Sequence, residues 1–159
     1  MAVLDRSGGL SLDLPFMDQD CKEFLGLLAL VDKADNAQLP SAWRDLVACA
    51  AENFAREDTW MRTTGYASRK QHAILHRVVL EVMREGALQA EEGRLLQARE
   101  MAHQLRDWYA KHVQTMDAAL ALHLRSARFD PANAGVQAQG SPRVCSGLRD
   151  TADPAAPSH

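Results

Sequence analysis

From Phe16 to Arg125 the chain carries one proline, Pro40, and few glycines, and its apolar residues recur at steps of three and four. That period belongs to amphipathic helices, and no segment sustains the two-residue alternation of a half-buried strand. Four helices account for the block. The first is expected from about Asp18 to Ala34, with Cys21, Phe24, Leu25, Leu28 and Val31 inward. The second opens at Pro40-Ser41, with Ser41 as its N-cap, carries Leu46, Cys49, Ala50, Asn53, Glu57, Trp60 and Met61 inward, and stops at Gly65. Ser68 with Gln71 three residues on reads as a capping box for the third. That helix is expected to face Ile74, Leu75, Val78, Val79 and Val82 inward and to end near Gly86. The fourth runs from about Ala90 to Arg125 with Leu95, Ala98, Ala102, Leu105, Trp108, Met116 and Leu120 on its inner side. Short links between long helices favour antiparallel neighbours, so the expected fold is all-α, an up-down-up-down four-helix bundle.

The 159 residues argue for one domain. Residues 1–12 form a short arm, 13–125 the bundle, and 126–159 a tail rich in proline and glycine that is too poor in large apolar residues to offset its ordering entropy. The tail is therefore expected to be disordered. A net charge of -3 gives no basic footprint for nucleic acid. No apolar run is long enough to span a bilayer, and the first 16 residues lack the basic start and apolar stretch of a signal peptide. Three cysteines, Cys21, Cys49 and Cys145, are an odd number without C-x-x-C spacing, so no disulfide framework is expected and a reducing cytoplasm is the default compartment.

Several polar residues interrupt the inner stripes: Asn53 and Glu57 on the second helix, His72 and His76 on the third, and His112 on the fourth, with Asp117 beyond it. A buried ionisable group costs several kcal/mol unless it is paired or bound to metal. Asn53/Glu57 and His72/His76 are i,i+4 pairs, each sharing one helix face. Carboxylates and imidazoles converging from facing helices are the usual construction of a metal site in a bundle. His112 and Asp117 are five apart, about 140° round an α-helix, so they converge only on a metal close to the axis. Singly, each residue has a plain reading. Glu57 belongs to the charged run Arg56, Glu57, Asp58 and could be solvated; His112 could stack on Trp108; an i,i+4 histidine pair can arise by chance among six histidines. Trp60 and Trp108 read as core fillers, and His103 and His123 have no matching partners. The joint pattern over three helices is what favours a metal.

The segments M-D-Q-D-C-K-E-F (17–24), N-F-A-R-E-D-T-W-M (53–61), G-Y-A-S-R-K-Q-H-A-I-L-H (65–76) and W-Y-A-K-H-V-Q-T-M-D (108–117) resemble bacterial hemerythrins, in order and over about residues 13–120. The resemblance implies a four-helix bundle around a non-haem di-iron centre that binds dioxygen reversibly. It assigns His72, His76 and His112 to one iron and Glu57 and Asp117 as bridging carboxylates. The second iron's two histidine positions are held here by Cys21 and Asn53. The retained set offers three nitrogens and two carboxylates, with a sixth position open. Such donors suit iron, manganese or zinc. Cys21 could ligate as a thiolate, whereas an amide such as that of Asn53 is a poor ligand. The expected cofactor is thus iron, one or two ions per chain, with zinc and manganese open. The leading reading is a hemerythrin-like metal-binding protein, more a binder than an enzyme, concerned with binding, sensing or storing dioxygen or another small diatomic ligand, with an incomplete second metal site. A mononuclear iron enzyme reducing peroxide or nitric oxide, and an interaction bundle with a degenerate metal site, stand as alternatives.

Overall fold

The computed structural model describes residues 3–4 and 10–134. Helix α1 spans Pro15–Lys33, α2 Leu39–Thr63, α3 Arg69–Glu91 and α4 Leu95–His112. A π-helical turn, Val113–Asp117, follows α4 without a break and leads into α5, Ala118–Ser126. α1 packs on α2 and α4, and α3 packs on the same two helices, which closes the ring of a four-helix bundle. The loops are short because each helix stops where its pattern does: Asp35 and Gln38 hydrogen-bond one another across the first link, and Gly65 (φ 66°) and Gly93 (φ 79°) turn the second and third in the left-handed region. No described helix is long and apolar enough to cross a membrane.

The helix ends differ from the expected ones for local reasons. Pro15 starts α1 three residues early, since its fixed φ and missing N–H suit the first helical position. Ser41 is not the N-cap of α2. It lies inside the first turn, its hydroxyl donating to the Gln38 carbonyl oxygen at 3.0 Å. Ser68 does precede α3, but its hydroxyl makes no capping bond. Gly86 does not end α3, which runs on to Glu91. The glycine is there because the indole of Trp43 lies against it: a Cβ at Gly86 would fall 2.6 Å from Trp43 Cη2.

On the third helix, His72, His76 and Val79 face inward as expected, but the other apolar residues expected there do not. Ile74, Leu75, Val78 and Val82 are 52%, 38%, 57% and 50% exposed, while His72, His76, Val79, Met83, Gly86 and Ala90 face the core. Both stripes have helical spacing, so periodicity could not rank them. The histidines take the inner face because only there do carboxylates meet them. Leu25 on α1 is also exposed, at 37%.

At the chain's start, Val3–Leu4 and Leu10–Ser11 form a two-residue antiparallel ribbon, β1 and β2, which the sequence pattern did not suggest. The ribbon leads into a tie to the bundle. Leu12 is buried, its N–H donates to Asp18 Oδ1 at 2.7 Å, and its carbonyl oxygen accepts from Arg125. Of the expected tail, residues 135–159 lie outside the described residues, Cys145 included. Phe129 precedes them and packs on Phe16 and Trp60, at centroid distances of 6.1 and 6.3 Å. Replacing Gly86 by alanine forces the Cβ into the Trp43 ring, and overpacking of this kind costs roughly 1–3 kcal/mol. Chemical denaturation of Gly86→Ala should show that loss.

Candidate metal centre

Five polar side chains from three stretches of backbone meet in the bundle interior. Glu57 comes from the inner stripe of α2, His72 and His76 from successive turns of α3, His112 from the end of α4, and Asp117 from the π turn. All five are buried, His72 completely. The π turn answers the question that spacing left open. On an α-helix His112 and Asp117 would lie well apart round the axis, but the wider i,i+5 turn returns residue 117 to the side of residue 112. His112 Nε2 then sits 3.0 Å from Asp117 Oδ1.

Each of the five offers one donor atom within 4.8 Å of all the others. The three Nε2 atoms are adjacent, His72 to His76 at 3.0 Å and His76 to His112 at 3.1 Å. Glu57 Oε2 lies 3.4 Å from His72 Nε2 and 3.2 Å from His76 Nε2, and Asp117 Oδ1 lies 3.2 Å from His72 Nε2. Despite this crowding, Glu57 Oε2 and Asp117 Oδ1 accept no hydrogen bond of acceptable geometry. The two carboxylate oxygens thus lie among the three imidazole nitrogens without a bonded proton between them. For donors about 2.1 Å from one ion, neighbouring donors in an octahedral arrangement are about 3.0 Å apart. The observed spacings of 3.0 to 3.4 Å match that edge. The five residues could therefore hold a metal ion, and a six-coordinate ion there would have one position left over. The imidazoles are held by aromatic rings, His76 stacked on Phe54 at 3.9 Å and His112 on Trp108 at 4.5 Å. Stacking on Trp108 and membership of the cluster turn out to be compatible.

The two remaining positions do not join the cluster. Cys21 and Asn53 are both buried and face inward, as expected. Yet Cys21 is outside the group of converging donors. Burial pushes its thiol up to about 12, with the Tyr109 hydroxyl bonded to the sulfur working against that rise, so it stays a neutral thiol near pH 7. Asn53 is engaged elsewhere: its amide donates to the Asp20 carbonyl oxygen at 3.2 Å and to Cys49 Sγ at 3.7 Å, and its Oδ1 accepts from Arg56. Arg56 is also paired with the buried Asp20 carboxylate, Nη2 to Oδ1 at 2.8 Å. Burial raises the Asp20 carboxyl above its ordinary value, and Arg56 opposes the rise. Asp20, Arg56, Phe54 and Tyr109 escaped the sequence reading. Arg56 sits in a charged run that looks solvated, and its partner lies 36 positions away. For Phe54, adjacency to Asn53 was the only signal. His103 is exposed, and His123 bonds Thr64 outside the cluster.

The charges in the cluster hold one another. Burial by itself would lower His72, but the Asp117 and Glu57 carboxylates outweigh it and raise the imidazole from 6.5 to about 9. Burial would raise Glu57, but the facing His72 and His76 hold it down, from 4.5 to about 2. The His72 contribution to folding is therefore complete below pH 6.5 and lost as pH climbs through 9, and that of Glu57 is complete above pH 4.5 and lost as pH falls towards 2. Metal-free protein should melt highest between pH 4.5 and 6.5. A metal must displace the His72 proton, so affinity should rise by up to about tenfold per pH unit below pH 9. Thermal melts of metal-free protein and calorimetric metal titrations across pH would check both slopes.

No family model and no solved structure matches the chain. A protein described as Bacteriohemerythrin, from Ralstonia nicotianae (strain ATCC BAA-1114 / GMI1000), is 31% identical over 117 residues, covering 74% of this chain and 85% of the relative. The helical bundle, the buried histidine-carboxylate cluster and this likeness together place the chain in the hemerythrin-like family.

Proposed function

We propose that the chain binds iron through His72, His76, His112, Glu57 and Asp117, and that the position left over takes dioxygen or another small diatomic ligand. The observation that carries this reading is the convergence of three Nε2 atoms and two carboxylate oxygens, within 4.8 Å of one another, in a buried interior. Imidazole and carboxylate donors suit iron, and the family likeness favours it over the zinc and manganese that the same donors accept. Bound iron would supply an electron-rich centre with one exchangeable position. The protein's own part is to fix the donors and exclude water. Phe54 and Trp108 clamp two of the rings, and the two carboxylates neutralise the ion's charge.

Protein purified from its own host should contain iron above zinc and manganese, and should show an optical band that changes reversibly with dioxygen or nitric oxide. Turnover of peroxide or nitric oxide beyond that of free iron would favour an enzyme instead, and a metal indifferent to every small molecule would favour a structural role. Replacing any one of the three histidines by alanine should weaken metal binding by more than about tenfold, since even residues that only support a ligand cost tenfold or more when removed. The loaded wild type should melt above the metal-free form, because a ligand of the native state adds directly to its stability. Elemental analysis and melting curves of the three variants check this.

A further inference from the structure

We infer that the half of the bundle interior where the family places a second iron has been rebuilt around Arg56, so that the site holds one metal ion beside a fixed guanidinium. The inference rests on the function proposed above and concerns Cys21, Asn53, Arg56 and Asp20.

Asn53 stands at one of the two positions the resemblance assigns to the second ion. An amide can offer a cation only its oxygen, and Asn53 Oδ1 already accepts from Arg56 Nη2. The amide nitrogen is fixed in turn by the Asp20 carbonyl oxygen and Cys49 Sγ, so the oxygen cannot swing away from the guanidinium without breaking both contacts. Arg56 is equally constrained. Asp20 grips it at two points, Nη2 to Oδ1 at 2.8 Å and Nε to Oδ2 at 3.3 Å, and Asp20 is 6% exposed. A carboxylate buried that deeply must keep its partner. Any ion bound at residue 53 would therefore sit against a positive charge held there by Asp20. Cys21, at the other position, contributes no atom to the converging group.

Charge balance points the same way. One divalent ion neutralises Glu57 and Asp117, and Arg56 neutralises Asp20. A second divalent ion at residue 53 would lie against the Arg56 guanidinium that bonds Asn53 Oδ1, a like-charge contact in a buried setting. Asn53, where the chain departs from the family pattern, is thus held with Asp20 and Arg56 in one hydrogen-bonded group.

The test counts metal in the full chain, loaded with ferrous iron without oxygen and analysed for iron per folded protein. The unaltered protein should hold one ion. The Cys21→His/Asn53→His double variant should still hold one, because Arg56 remains, and adding Arg56→Gln should raise the count to two. Two ions in the unaltered protein, or in the double variant, would overturn the inference while leaving the proposed function intact. A triple variant that folds and still holds one would overturn the role given to Arg56. No iron in any form would overturn the proposed function and this inference with it. Should the triple variant fail to fold, electron paramagnetic resonance of the oxidised wild type decides: an isolated high-spin ferric signal supports the inference, and an exchange-coupled pair overturns it.

Discussion

The buried encounter of three imidazoles with two carboxylates is the constraint around which the bundle is organised. None of these groups would tolerate the interior alone, since a lone buried charge costs more than the surrounding core could offset. Together they hold a proton or a cation between them, and the His72 and Glu57 shifts register that mutual hold. The arrangement sets the rotation of α3, because the helix turns its histidine stripe inward even though Ile74, Val78 and Val82 are left half in solvent. A purely apolar accounting would have chosen the other face.

Backbone geometry serves the same encounter. The π turn after His112 adds a residue to the helical circuit and returns Asp117 to the cluster. Widened turns of this kind leave helical hydrogen bonding poorer, and they recur where a side chain must be re-aimed. The aromatic stacks finish the alignment. Phe54 and Trp108 fix ring planes that would otherwise rotate freely about their last torsion. Gly86 shows how tightly the rest is packed, since Trp43 fills the space that a side chain there would need.

The interior has two halves with different chemistry. On the histidine side, donor atoms converge, and Glu57 Oε2 and Asp117 Oδ1 accept no hydrogen bond. On the Cys21 and Asn53 side, polar atoms are matched to one another, Asn53 to Asp20 and Arg56, and Cys21 to Tyr109. A site waiting for a ligand leaves donors unpaired, whereas a site that has become structure pairs them. Family likeness alone would not separate these cases, because both halves descend from one pattern.

Helix number and the i,i+4 pair His72/His76 were legible in local spacing, whereas Glu57, His112 and Asp117 were legible only from the joint pattern of polar residues on the inner stripes and from the family motifs. Spacing within a helix cannot say which of two stripes faces in, and Ile74, Leu75, Val78 and Val82 were misplaced for that reason. Nor can it foresee a π turn, whose extra residue shows only as an apparent misfit between His112 and Asp117. The fate of Asn53 depended on a guanidinium one turn away and a carboxylate on another helix. Partners distant in sequence meet only after the bundle closes, so what a polar residue does in the interior was decided by the tertiary structure.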